Sequence, residues 1–253
     1  MGPLGGRVAL VTGVSRRQGI GYAIASRLAG LGADLFVQHH VPHDAAQEWG
    51  ADSIDEVIAG LGGRVEHAGV DLADPDAPEP LVDAVFEAYR RVDILVCNHA
   101  RSGFDGALGS LDAAMLDAHY AVNTRSSILL AQAFARHWKG SSGGRIVFMT
   151  SGQDLGPMPG EIAYAASKGA LSSIVATLSH QLADQGITVN AVNPGPTDTG
   201  WAGPELTEFV NERMPLKRWG QPDDAARLIS WLCTDDAEWI TGQVINSEGG
   251  FRR

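Results

Sequence analysis

The stretch Val8-Ala9-Leu10-Val11-Thr12-Gly13-Val14-Ser15-Arg16-Arg17-Gln18-Gly19-Ile20-Gly21-Tyr22-Ala23-Ile24-Ala25 decides the fold. A short β-branched run reads as a buried strand, a glycine-rich turn follows, and an Ala-rich helical segment begins at once. Glycines in such a turn let backbone amides approach a phosphate, which then sits on the positive end of the helix. Gly13, Ser15, Arg16, Arg17, Gly19, Ile20 and Gly21 are therefore expected to bind the pyrophosphate of a nucleotide.

Working outward, Val-, Ile- and Leu-rich runs recur at Asp34 to Gln38, Arg64 to Val70, Asp93 to Cys97, Arg145 to Thr150, Ile187 to Val192 and Gln243 to Asn246. Helical periodicity fills the gaps near 20–31, 53–61, 79–91, 111–138, 161–184 and 223–234. Seven strands alternating with helices predict an α/β fold, a doubly wound seven-stranded parallel sheet with helices on both faces. No repeat or low-complexity linker divides residues 1–253, so one domain is expected. Residues 196–221 break the rhythm with three prolines and three glycines around a short helix, and are expected to form a substrate lid.

Composition narrows the function. Of 253 residues, 19 are Lys or Arg and 30 are Asp or Glu, a net charge of −11. Basic residues are scattered, which argues against nucleic acid, and no apolar run reaches membrane-spanning length, which argues against a membrane. The N-terminus runs almost directly into the first strand, so no leader is expected. The two cysteines, Cys97 and Cys233, read as buried apolar residues and fit a reducing, cytoplasmic setting. A small-molecule carbonyl or alcohol is the expected partner. The long Ala-rich segments 111–138 and 161–184 suggest packing against further subunits, as a dimer or tetramer.

At the end of the second strand a carboxylate would accept from an adenosine ribose hydroxyl, whereas cations would hold a 2′-phosphate. The strand ends Gln38-His39-His40, with no acid before Asp44. His39 and His40, with Arg16 and Arg17, therefore predict NADP(H), with NAD(H) as the alternative. His39, His40 and His43 are not expected to share a metal, because neighbours on a strand point to opposite faces.

Tyr164 and Lys168 lie four apart on one helical face. A lysine cation about 4 Å from a phenol, at an effective dielectric of about 20, favours phenolate by about 4 kcal/mol, or about three pKa units before desolvation opposes it. Such a tyrosine is a usable acid and base. Ser151 follows the fifth strand, where its hydroxyl would hold a carbonyl oxygen against Tyr164. Phe104, Gln153, Asp154, Leu155, Met158, Pro159, Trp201 and Met214 flank this centre as expected pocket walls.

Together Thr12-Gly13 with Gly19 and Gly21, Asp71, Asn98-His99-Ala100, Asn123, Ser151, the Tyr164/Lys168 pair and Asn193-Pro194-Gly195 resemble the short-chain dehydrogenase/reductase superfamily over nearly the whole chain, including its 3-oxoacyl-[acyl-carrier-protein]-reductase-like members. The resemblance implies a single-domain Rossmann fold and a nicotinamide-dependent oxidoreductase acting on a ketone or secondary alcohol. It implies that Asp71 and Leu72 border the adenine, Asn98 braces the sheet, and Ala100 borders the cofactor. Asn123 would hold a relay water, Tyr164 and Lys168 would also touch the cofactor, and Pro194, Gly195, Thr197 and Thr199 would hold the nicotinamide. Catalysis would rest on Asn123, Ser151, Tyr164 and Lys168. A carrier-protein substrate ranks second, since such proteins are acidic like this chain. A regulator that binds NADP without chemistry ranks third, because the catalytic residues are all present.

Three departures stand out. Five residues separate Gly13 from Gly19 where the family usually has three. Asn98-His99-Ala100-Arg101 replaces the usual Asn-Asn-Ala-Gly, with Arg101 expected to point towards water. Residues 41–53, with Trp49, form a long connection expected to cover the adenosine end.

Overall fold

A computed structural model describes residues 2–103 and 105–253. Strands β1 (Val8–Thr12), β2 (Asp34–His39), β3 (Val65–Gly69), β4 (Ile94–Cys97), β5 (Gly144–Met149), β6 (Ile187–Asn193) and β7 (Val244–Asn246) form one sheet, ordered β3-β2-β1-β4-β5-β6-β7. Every pairing is parallel. The expected doubly wound sheet is the fold observed.

Alternation along each strand divides the core in two, because successive side chains point to opposite faces. Ala9, Val11, Leu35, Val37 and Val96 pack on one face beneath α1 (Ile20–Gly30) and α9 (Pro222–Leu232). Val8, Leu10, Phe36, Leu95 and Phe148 pack on the other beneath α4 (Pro78–Tyr89), α6 (Ser126–His137) and α7 (Ile162–Leu182). Strands covered on both sides must be apolar throughout, which is why β1, β4 and β5 are buried along their whole length. The edge strands β3 and β7 are largely open and carry Glu66, His67 and Asn246.

Two local features depart from expectation. A short helix α2 (Val41–Ala45) follows β2, started by Pro42 in its first turn, and α3 (Ile54–Ala59) comes after it. The helical run expected over 111–138 is α5 (Ala113–His119) joined to α6 through a π-helical turn, Tyr120–Arg125. There the Ser126 hydroxyl donates back to Val122 O, and that of Ser127 to Asn123 O at 2.8 Å, contacts that bend helices. Within 196–221, α8 (Pro204–Arg213) is the foreseen short helix, and Val210, Met214 and Trp219 form a small core with Ala202 and Phe251.

The central pair is tied at its amino end by Asp93. Its buried carboxylate accepts from Val8 N at 2.8 Å and from Arg91 Nε and Nη2 at 2.7 and 2.6 Å. Asp93→Ala strands the Val8 amide in the core, so stability should fall by about 2–4 kcal/mol. Urea unfolding should show a lower midpoint with an unchanged slope.

Candidate active site

The expected site residues lie on the segments at and after the carboxyl ends of β1 to β6. Gly13 takes φ +73° and packs directly on β4; a Cβ there would lie 2.8 Å from His99 Cα. A Cβ on Gly21 would lie 2.4 Å from Gly13 O and 2.6 Å from Asn98 Nδ2. Asn98 Nδ2 donates to Thr12 O and Gly13 O, each at 3.1 Å, so this side chain braces turn against sheet. Helix α1 starts behind Gly19 with no side-chain cap and no acid in its first turn. Uncapped amides at a helix start suit an anion, so the turn fits a dinucleotide pyrophosphate.

Gln38 was read from the sequence only as the residue closing β2. It is buried, and its Oε1 accepts from Gly13 N at 2.9 Å while Nε2 donates to Val70 O at 2.6 Å. A glutamine ending a buried strand beside a glycine turn was its one signal.

Residues 41–53 lie against the turn. Ser15 Oγ donates to Asp44, whose Oδ1 accepts from Trp49 Nε1 at 3.1 Å. The Arg16 guanidinium sits 5.6 Å from the Trp49 ring centre and donates to Thr199 O at 2.8 Å. Arg17 is neutralised, its side chain 3.6 Å from Asp52 and 3.1 Å from Glu56. His39 contacts His67 at 3.2 Å; burial, then the neighbouring His67 and His40, push its pKa down. His40 Nε2 stands 4.0 Å from Asp71, whose Oδ1 also accepts from Ala73 N at 2.9 Å. Leu72 is buried in the second core, and Ala100 is half-buried beside Arg101. Arg101 too is half-buried rather than turned to water, because Asn123 holds its backbone: Oδ1 accepts from Arg101 N at 2.7 Å and Nδ2 donates to Arg101 O at 3.1 Å.

Tyr164 and Lys168 share one face of α7, as the spacing required. Lys168 is buried and donates from Nζ to Met149 O at 2.9 Å, with Nζ 5.8 Å from the Tyr164 ring centre. Burial lowers the lysine to about 8. The tyrosine differs from expectation: burial and then Glu161 push the phenol up to about 12, against a hydrogen bond with Ser151 that pulls it down. Burial thus favours the protonated phenol. Asn123 Nδ2 also donates to Ser167 Oγ at 2.9 Å, so its amide is fully used.

On the far side, Asn193 Oδ1 accepts from Gly195 N at 3.0 Å, and Thr197 Oγ1 donates to Gly195 O at 3.1 Å. Pro194 lies between them, half-buried. Glu248, at the carboxyl side of β7, accepts from Asn193 Nδ2 at 2.8 Å and pairs with Arg253, whose side chain packs on Gly152 and Gly156 just past Ser151. Of the expected walls, Gln153 braces Ser151, its Oε1 accepting from Ser151 N at 3.1 Å while its Nε2 donates to Ser172 Oγ at 2.9 Å, and Met214 belongs to the core beneath α8. Leu155 and Trp201 are exposed. Phe104 lies outside the described residues.

His99 is the departure with the clearest physics. Its Nδ1 lies 2.7 Å from Thr12 Oγ1 and its Nε2 2.7 Å from Ser126 Oγ. The Ser126 hydroxyl spends its proton on Val122 O, so Nε2 carries the imidazole hydrogen and Nδ1 accepts. Burial, and then the Lys168 charge, lower the pKa to about 3 from 6.5. The unfolded chain takes up this proton first, so the stability contribution is complete above pH 6.5 and is lost as pH falls towards 3. His99→Asn should make the acid side of the stability profile shallower by up to about 1.4 kcal/mol per pH unit, read from urea midpoints between pH 7 and 4.

Among the described residues no three His, Cys, Asp or Glu side chains are grouped to hold a metal, and no helix is long and apolar enough to cross a membrane. Residues 13–252 match the family described as enoyl-(acyl carrier protein) reductase. The chain is 47% identical over 254 residues to the uncharacterized oxidoreductase YjdA of Bacillus subtilis, covering 98% of this chain and 97% of that one. It is 34% identical over 259 residues to an NADPH-dependent aldehyde reductase-like chloroplastic protein of Arabidopsis thaliana, covering 98% and 95%. A solved short chain dehydrogenase from Burkholderia cenocepacia, in complex with NADP, superposes with a TM-score of 0.86 at 38% identity, covering 98% of each chain. With the sheet order, the glycine turn and the Ser151, Tyr164 and Lys168 arrangement, these likenesses make the chain an oxidoreductase of the short-chain dehydrogenase/reductase family.

Proposed function

We propose that the chain is an NADPH-dependent reductase of a small ketone or aldehyde, giving the corresponding alcohol. The observation that carries this reading is Tyr164 and the buried Lys168 on one face of α7, Lys168 held by Met149 O at the end of β5 where Ser151 follows, beside an uncapped glycine turn. A dinucleotide held through its pyrophosphate by Gly13, Ser15, Gly19, Ile20 and Gly21 would supply the hydride from its nicotinamide. The chain does the rest. Tyr164, neutral throughout the physiological range, gives its proton to the substrate oxygen, and Ser151 donates to the same oxygen as charge develops. Lys168 keeps two N–H groups beyond the one spent on Met149 O, and these serve the ribose. The Asn123 amide acts by positioning, since it is engaged with both backbone atoms of Arg101 and with the Ser167 hydroxyl. Residues 196–221 close over the substrate, with Leu206 and Phe209 exposed on α8 and Thr199 tied to Arg16.

A 2′-phosphate preference follows from what is already spent. Asp44 is taken by Ser15 and Trp49, and Asp71 caps its own turn, which leaves no free acid for a ribose hydroxyl. Arg16 makes no ion pair among the described residues, so it rather than Arg17 serves the phosphate. The NADP held by the Burkholderia relative supports the same preference. Against a carrier-protein substrate stands the charge of −11, which repels an acidic partner.

Tyr164→Phe should abolish nearly all turnover of a ketone panel while NADPH fluorescence reports binding within a few-fold; loss of binding would contradict the assigned role. Separately, calorimetric titration should give a dissociation constant at least about tenfold lower for NADPH than for NADH, a difference of about 1.4 kcal/mol. Equal affinities, or a preference for NADH, would overturn the 2′-phosphate assignment.

A further inference from the structure

Helix α7 carries Tyr164 in its first turn, and that turn has no local cap. Glu161 at the N-cap makes no side-chain bond to it, and no acid occupies the first turn. The orphan amides are satisfied from 58 and 59 residues away. Asp105 Oδ2 accepts from Tyr164 N at 2.7 Å, and Oδ1 accepts from Ala163 N at 3.0 Å and from Gly106 N at 2.7 Å. One carboxylate thus grips the backbone of the reacting tyrosine and of its predecessor.

The loop that brings Asp105 is itself tied to the site. Its start, Arg101, is held on both backbone atoms by Asn123, and Asn123 Nδ2 reaches Ser167 Oγ, which donates to Tyr164 O at 2.8 Å. Tyr164 is therefore held at its N–H through Asp105 and at its C=O through Ser167. Both routes return to Asn123 in the π-helical turn. A carboxylate at a helix start is favoured by the helix dipole as well as by the hydrogen bonds. Burial alone would raise this carboxyl, but the amides of Tyr164, Gly106 and Ala163, with His119 nearby, hold it below its ordinary value.

We propose that Asp105 is a positioning residue for the reaction, fixing Tyr164 against Ser151 by capping the helix that carries it from an otherwise separate loop. This rests on the reductase reading above, so its test has one arm that needs no turnover. Asp105→Ala should lower kcat for ketone reduction about 10- to 100-fold while the substrate KM and NADPH affinity stay within about twofold, the pattern of a misplaced reacting group. Asp105→Asn should fall between the two, because one amide oxygen still accepts from one of the N–H groups. In parallel, amide hydrogen exchange should accelerate at Ala163 and Tyr164 in Asp105→Ala while amides beyond Lys168 stay protected. Unchanged kcat in Asp105→Ala overturns the proposal. So does a joint fall in kcat and NADPH affinity with protection lost along all of α7, which would mark a merely structural residue. If the wild type reduces no carbonyl, the reductase reading fails instead, and exchange decides the cap: unaltered rates at Ala163 and Tyr164 overturn it.

Discussion

The two hydrogen bonds from Asn98 to the carbonyls of Thr12 and Gly13 are the constraint on which the site depends. They join β1 and β4 where the chain, having laid β2 and β3 to one side, crosses to the other. At such a reversal the following connections diverge and leave a crevice beyond the strand ends. The residues proposed for chemistry and for the dinucleotide lie on the segments that follow the strands on that side of the sheet. The glycines at 13 and 21 are required because Asn98 and His99 come so close that a Cβ has no room. Thr12 completes the joint, its hydroxyl accepting from Asn98 N at 3.0 Å and facing His99.

Electrostatics follow from the same burial. Lys168 and His99 sit within one apolar enclosure, and each is driven towards its neutral form: the lysine to about 8 and the histidine to about 3. Tyr164 is driven the same way, which for a phenol means retaining its proton. The enclosure thus sets the site as a proton donor, and the ordering comes from desolvation before any single ion pair.

The sheet and the chemical centre were legible in the sequence for distinct reasons. Interior strands such as β1 and β5 announce themselves because both faces are covered and both must be apolar. Tyr164 and Lys168 announce themselves because helical geometry converts a spacing of four into one face. What escaped was long-range pairing. Nothing near Arg17 signals Asp52 and Glu56 as its partners, and nothing near Asp105 points to an amide 59 residues on. The pull of Lys168 on the phenol is opposed by burial, whose extent the spacing of four does not reveal. Residues 41–53 were read as a long connection, though α2 within them was not seen.

The π-helical turn at Tyr120–Arg125 has a consequence for how the two ends of its helix are aimed. An α-helix advances about 100° per residue, so one residue of surplus in a turn rotates everything after it by about that angle relative to everything before. The α6 segment can therefore present Leu130, Ala131 and Phe134 to the sheet while α5, upstream, keeps a separate azimuth. A continuous α-helix would couple the two, and seating one face would swing the other out of register. The surplus residue acts as a phase shifter, and Asn123 lies inside it, so its side chain can leave the helix sideways towards Arg101.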